Sequence, residues 1–375
     1  MTVPLPVLWL TGPAGVGKTT AAWRIHTELG REGVPAAFVD IDQLGMCYPA
    51  RDEDPDRHLL KAANLAAVLR GHRAAGARCV VVSGVVDSAE GVDEGLLPGA
   101  ALTMYRLRAG TEALVERFTG REGAAEEVVA QVLREAAALD ASGIGYHVLD
   151  TTGLSADEVV RRVRDDIGDW PGELGAAGPV PPAPTAGADG PILWVSGVTG
   201  VGKSTVGFGL YLKALACGPA AYVDVDQLGL SGTVADDEDA HRLKAANLAA
   251  VWRNHRAAGA RSLTVVGQMG DESTRGVYRE ALPEADLTVC RLHADRTRLT
   301  ERILARGRGE GWPQPGDPLV GREPAYLREL ASRASAEAEA LERAGFGDLS
   351  ADTSGRTAAE VAEIVASEAG WPRSE

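Results

Sequence analysis

Short, unbroken apolar runs alternate with longer stretches of helical spacing along the whole chain. In the first half, the runs Val7–Leu10, Ala36–Asp40, Arg78–Ser83, Ala101–Leu107 and Tyr146–Leu149 predict strands buried on both faces. Between them, Lys18–Arg31, Asp56–Ala75, Gly110–Phe118, Ala124–Asp140 and Ala156–Ile167 predict helices. The second half predicts strands again at Ile192–Val195, Ala220–Asp224, Ser262–Val266, Leu287–Leu292 and Asp348–Ala351. Strands that alternate with helices imply an α/β fold with a parallel sheet covered on both faces. In such sheets ligands bind beyond the carboxyl ends of the strands.

The two halves are copies. Phe38–Gly45 returns as Tyr222–Gly229, while Leu60–Val68 and His72–Arg78 return unchanged as Leu243–Val251 and His255–Arg261. Between the copies lies a Pro/Gly-rich stretch, 172–190, whose prolines bias it to an extended linker. The expected organisation is a first domain over 1–171 and a second over 191–375, each long enough for one buried core. Each is expected to be a three-layer sandwich around a parallel five-stranded sheet.

Each copy opens with the same loop. Gly12, Gly15, Gly17, Lys18 and Thr19 fit G-x-x-x-x-G-K-[ST], as do Gly197, Gly200, Gly202, Lys203 and Ser204. Each loop follows a predicted strand and opens a predicted helix, the context in which backbone N–H groups and a helix N-terminus surround phosphate oxygens. Lys18 and Lys203 would reach the β- and γ-phosphates. Thr19 and Ser204 would hold magnesium, with Thr20 and Thr205 following them at the nucleotide.

Further chemistry clusters at the strand ends. Asp40 and Asp42 close the second strand and return as Asp224 and Asp226. Strand alternation is expected to point the two to opposite faces, one toward the metal and phosphates and the other toward the acceptor hydroxyl as base or orienting group. The third strand ends Val82-Ser83-Gly84, with no acidic residue. Asp87 and Asp271, just beyond, read as caps of the next helix. The chain has five lysines against 33 arginines, and four of the five sit at two repeated positions. A retained Lys61 and Lys244 suggests a need for a compact ammonium. His58, Lys61 and Asn64 fall on one broad helix face that would wall the acceptor site, unless that face is simply solvated. Arg117 and Arg121, matched by Arg302 and Arg306, suggest a lid over the transferring phosphate. The second copy adds Arg308 and a Gly/Pro-rich insertion over 307–323, expected to be a mobile loop that favours catalysis there. Near each end, Asp150–Gly153 and Asp352–Gly355 lie where a nucleoside base is often held, although helix capping explains their composition equally well.

The net charge of −15 argues against a general binder of nucleic acid or anionic membranes, which needs a basic face. The four cysteines, Cys47, Cys79, Cys217 and Cys290, form no C-x-x-C pair and read as reduced thiols. The first apolar run lacks a basic region before it, so it reads as a strand and not a signal peptide. No apolar stretch approaches the roughly 20 residues of a membrane helix. A cytoplasmic protein is expected, with oligomeric state open.

The loop, the D-x-D turn, the arginines and the D-T-[TS]-G segment together resemble the small-molecule kinases of the P-loop superfamily, among them shikimate, gluconate and adenylylsulfate kinases. The resemblance implies two tandem P-loop domains with ATP and magnesium as cofactors. It implies a metal role for Asp40 and Asp224, acceptor contact by Asp42 and Asp226, and lid roles for Arg117 and Arg302. It places Asp150–Gly153 near adenine. The third-strand loops Ser83-Gly84-Val85 and Gly267-Gln268-Met269 depart from shikimate kinase, so no named substrate carries over. The expected activity is ATP-dependent phosphoryl transfer to a small hydroxylated metabolite. A nucleotide-binding regulatory protein with weak ATPase activity is the alternative, and a nucleic-acid end kinase is disfavoured by charge.

Overall fold

The central apolar runs become strands because both faces of each are covered, whereas the run expected at Tyr146–Leu149 forms an edge strand over His147–Asp150 that stays largely exposed. Every residue of Ala36–Asp40 and Cys79–Ser83 is buried, as parallel strands between helical layers require. The computed structural model describes residues 3–119, 126–172, 187–232, 237–311 and 317–372. Arg121, most of the linker and part of the 307–323 insertion lie outside them.

In chain order, the first copy contains β1 (Leu5–Thr11), α1 (Lys18–Arg31), β2 (Ala36–Asp40), the short α2 (Ile41–Leu44), β3 (Cys47–Tyr48), α3 (His58–Ala74), β4 (Cys79–Ser83), β5 (Ala100–Arg108), α4 (Thr111–Thr119), α5 (Glu126–Ala141), β6 (His147–Asp150) and α6 (Ala156–Ile167). The second contains β7 (Gly190–Ser196), α7 (Lys203–Cys217), β8 (Ala220–Asp224), α8 (Asp237–Ala257), β9 (Ser262–Val266), α9 (Glu272–Ala281), β10 (Ala285–His293), α10 (Arg296–Gly307), α11 (Pro324–Ala344), β11 (Leu349–Asp352) and α12 (Ala358–Ala369).

The described residues fall into two compact units: 3–45, 56–172 and 230–232 in one, 46–55, 187–229 and 237–372 in the other. The first unit holds a five-stranded parallel sheet in the order β2-β4-β1-β5-β6. Its core joins Leu8, Leu10, Ile25, Phe38, Val81 and Leu107 across sheet and helices. The second unit repeats that order as β8-β9-β7-β10-β11. There the expectation of a purely parallel five-stranded sheet fails, because β3 adds a sixth, antiparallel strand beside β8. Two residues without strong alternation carry no period from which to predict it. Among the described residues, no helix is long and apolar enough to cross a membrane.

Local rules hold the helix starts. Ser155 and Glu158 form a capping box at α6, and Thr357 and Glu360 form the same box at α12. Asp271 caps α9 by accepting from the Thr274 N–H, as its position implied. Asp87 instead accepts from the N–H groups of Ala89 and Glu90 in a turn with no helix after it.

His72 is fully buried in the first unit, and neither ring nitrogen has a hydrogen-bond partner among the described residues. Burial, with a smaller contribution from nearby His26, pushes its pKa down to about 4. The unfolded chain therefore takes up the proton first as pH falls. Stability contributed by neutral His72 is complete above about pH 6.5 and is lost progressively toward pH 4. Each pH unit in that window costs about 1.4 kcal/mol. We predict that His72→Leu removes about 2 kcal/mol of the stability difference between pH 7.5 and 5.0, read from urea unfolding. An unchanged difference would refute this account.

Candidate functional site

Both loops are shaped by backbone crowding. Gly12 has φ +139°, and a Cβ there would sit 2.2 Å from the Leu107 carbonyl oxygen. Gly197 repeats the φ, and its added Cβ would meet the Leu292 carbonyl oxygen at 2.6 Å. Only glycine permits both the left-handed backbone and this approach of the loop to the neighbouring strand. Gly17 and Gly202, at φ +96° and +104°, then turn the chain into α1 and α7. No side chain caps either helix, so the N-terminal N–H groups remain directed at the loop.

The loop lysines fold back over their own turn. Lys18 Nζ donates to the Pro13 carbonyl at 3.3 Å, and Lys203 Nζ donates to Gly197 and Val198 at 2.8 and 3.1 Å. Burial pulls the Lys203 pKa down, opposed by Asp226 and Asp224. The Thr19 hydroxyl lies 2.9 Å from Ser83 Oγ at the end of β4. Thr20 and Thr205 follow on the exposed side of their helices, and Thr20 borders a cavity described below.

The aspartates face different ways, but not through strand alternation. Residues two apart on a strand would share a face. Here β2 ends at Asp40, and the chain turns into α2 before Asp42. Asp40 accepts the Asp42 N–H at 3.0 Å and caps that turn, and Asp224 accepts the Asp226 N–H at 3.1 Å. Burial first, then the Asp42 charge, raises Asp40 to about 6. The same causes, with Asp226, raise Asp224 to about 7. Asp42 by contrast has a side chain 42% exposed, and Lys61 Nζ lies 3.1 Å from its Oδ1. Lys244 and Asp226 repeat the pair at 2.7 Å.

The helix face read from the sequence is built as a clamp on this turn. Asn64 Nδ2 donates to the Leu44 carbonyl and Asn247 Nδ2 to the Leu228 carbonyl, each at 2.7 Å. Gly45 leaves room for the Lys61 stem, because a Cβ there would meet its Cε at 2.7 Å. His58 sits 4.0 Å from Asp87, whereas His241 Nδ1 lies 3.0 Å from the Tyr278 hydroxyl. Tyr278 was not legible in the sequence, since no tyrosine stands at that register of the first copy.

Arg117 and Arg302 are held away from a free lid position. Arg117 donates to the hydroxyl and carbonyl oxygens of Thr151 at 3.0 and 2.8 Å. Arg302 donates to Thr353 Oγ1 and carbonyl at 2.8 and 3.0 Å and to the Val201 carbonyl at 2.9 Å. Each ties the D-T-[TS]-G turn to its helix, α4 or α10. In the first unit Arg117, Thr151, Leu154 and Val159 line a cavity of about 190 Å³ with Gly15 and Gly17. Arg306 is the arginine whose charge reaches Lys203, and it is paired with Asp317 at 2.5 Å. Exposed Arg308 pairs with Glu310.

The residues fit magnesium through donor chemistry. Each unit offers a hydroxyl at the first turn of the loop helix and a buried carboxylate whose raised pKa reflects uncompensated burial. A cation beside it would relieve that cost. Among the described residues, no group of three His, Cys, Asp or Glu side chains forms a protein-only metal cage.

No protein-family profile matches this chain, and no curated protein matches it. Solved structures do. The Deinococcus radiodurans tunicamycin resistance protein is 23% identical, covering 46% of this chain and 99% of its own, with a TM-score of 0.33. A sugar kinase from Janibacter sp. is 19% identical over 43% and 92%, TM-score 0.32. A gluconokinase from Sinorhizobium meliloti is 20% identical over 44% and 97%, TM-score 0.28. Each likeness covers less than half of this chain, and the substrates remain properties of those proteins.

The close approach at the first loop glycine generates a prediction. Gly12→Ala and Gly197→Ala should each cost about 2 kcal/mol or more through strain and overpacking. Chemical unfolding checks this, and unchanged midpoints for both variants would contradict the crowding argument.

Proposed function

We propose that this chain is an ATP-dependent phosphotransferase with two tandem P-loop domains, acting on a small hydroxylated metabolite. One observation carries the reading: in both copies a phosphate loop stands with a buried aspartate and a half-exposed, lysine-paired aspartate at the end of the second strand. The first aspartate suits a cation, and the second suits a substrate.

Each residue then has a task. The loop N–H groups and Lys18 or Lys203 neutralise and orient the β- and γ-phosphates. Thr19 with Asp40, and Ser204 with Asp224, would hold magnesium, which spreads the phosphate charge when bound. The 190 Å³ cavity beside Arg117, Thr151 and Leu154 would take the nucleoside end in the first unit. Lys61 and Lys244 fix the carboxylates of Asp42 and Asp226, leaving a second oxygen for the acceptor hydroxyl. The acceptor oxygen bonds to the γ-phosphorus as the bond to the β,γ-bridging oxygen breaks. ADP leaves, and the hydroxyl proton passes to the aspartate. Positioning and charge neutralisation supply most of the rate. A coupled ADP-release screen over hydroxylated metabolites tests the reading, and no acceptor-dependent release would overturn it.

Both loops keep the lysine, hydroxyl and glycines, so calorimetric titration with Mg-ATP should give two sites per chain. Lys18→Ala and Lys203→Ala should each remove one site, and a wild-type stoichiometry of one would defeat the expectation. Once an acceptor is known, the Asp42→Asn/Asp226→Asn double variant should lower turnover by about 10²–10⁴-fold while retaining ATP affinity. Collapse of ATP affinity alongside turnover would assign the metal role to these aspartates instead.

A further inference from the structure

The compact units do not follow the sequence repeat. Residues 46–55 follow the aspartate turn of the first copy yet belong to the unit built on β7–β11. Leu230, Ser231 and Gly232 follow the matching turn of the second copy and belong to the unit built on β1, β2 and β4–β6. Each copy thus sends an arm into the unit that carries the other copy's sheet.

The two arms pair in the same register. In one unit, the Tyr222 N–H donates to the Met46 carbonyl at 2.9 Å, Cys47 lies opposite Ala221, and Tyr48 lies opposite Ala220. In the other, the Phe38 N–H donates to the Leu230 carbonyl at 2.9 Å, Ser231 lies opposite Ala37, and the Gly232 N–H donates to the Ala36 carbonyl at 3.0 Å. One shift carries the first set onto the second: 230 minus 46, 231 minus 47 and 222 minus 38 are all 184. Leu230 also packs on the first unit's hydrophobic core, as Trp23 and Val34 do. A chance surface contact would not repeat with the same hydrogen bonds at both ends.

The physical need is plain. The strands β2 and β8 lie at the same end of their parallel order and are buried along nearly their whole length. A bare edge there would expose a row of N–H and C=O groups. We infer that the arm after the aspartate turn is a docking element whose partner is the second copy of the same repeat, so that the duplicated chain is a covalently joined, arm-exchanged pair. Severing the copies would strip the edge pairing from β2 and the edge strand β3 from β8.

Cross-linking in the full chain tests this. Cys47 and Ala221 occupy a non-hydrogen-bonded position of the antiparallel pair, where Cα atoms approach to about 4.5 Å, within disulfide reach. A protease site is placed in the linker, the folded chain is oxidised and then cut, and the products are run on a denaturing gel without reductant. Ala221→Cys should shift the two half-length bands to one full-length band, and wild type should not. The mirror variant Ala37→Cys/Ser231→Cys contains its own competition. The thiol introduced at position 37 can join the one introduced at position 231 in the other fragment, or native Cys47 in its own. Exchange predicts joined halves, identified by a disulfide-linked 37–231 peptide in mass spectrometry. Two separate half-length bands in both variants, or a 37–47 disulfide, would overturn the inference. The readout is covalent connectivity, so it stands apart from any nucleotide chemistry.

Discussion

A carboxylate buried at the carboxyl end of a parallel strand sets the terms for everything around it. Asp40 and Asp224 are placed there by strands whose apolar residues are buried on both faces. Their charge is costly without a partner, and the backbone offers each one N–H of the following turn. Further compensation comes from the charge of the loop lysine. The phosphate loop, the short turn after the strand and the helix behind it are all arranged around that need.

The lysine usage follows from the same site. Arginine serves the surface ion pairs, such as Arg164 with Glu32 and Arg298 with Glu301. Lysine is kept where a narrow stem must pass a glycine. The Lys61 and Lys244 stems cross Gly45 and Gly229 so closely that a Cβ would meet them at 2.7 and 2.6 Å. A planar guanidinium would demand more room and a different approach to the carboxylate.

The copies have diverged in what surrounds this shared centre. The first buries His26 and His72 together, whereas Tyr211 takes the His26 position in the second. The second adds the Tyr278–His241 hydrogen bond and the Arg306–Asp317 pair near its loop. Through these changes both loops keep their three glycines, the lysine and a hydroxyl.

The α/β class with a parallel sheet and the glycine pattern of the loops were legible in the residues themselves. Continuous apolar runs report burial on both faces, and a glycine pattern reports a backbone that only glycine allows. The repeated lysine was also visible, because its rarity stood out against arginine. What the chain order could not convey was partnership across space. The end of β2 at Asp40 was legible, but not that the turn after it is made by that carboxylate capping the N–H two residues on. Arg117 and Arg302 read as lid residues because their helix was legible, while the Thr151 and Thr353 oxygens that hold them are distant in sequence. The two-residue strand Cys47–Tyr48 has no period of its own, and its place was decided by an edge of β8 left open until the tertiary structure closed it.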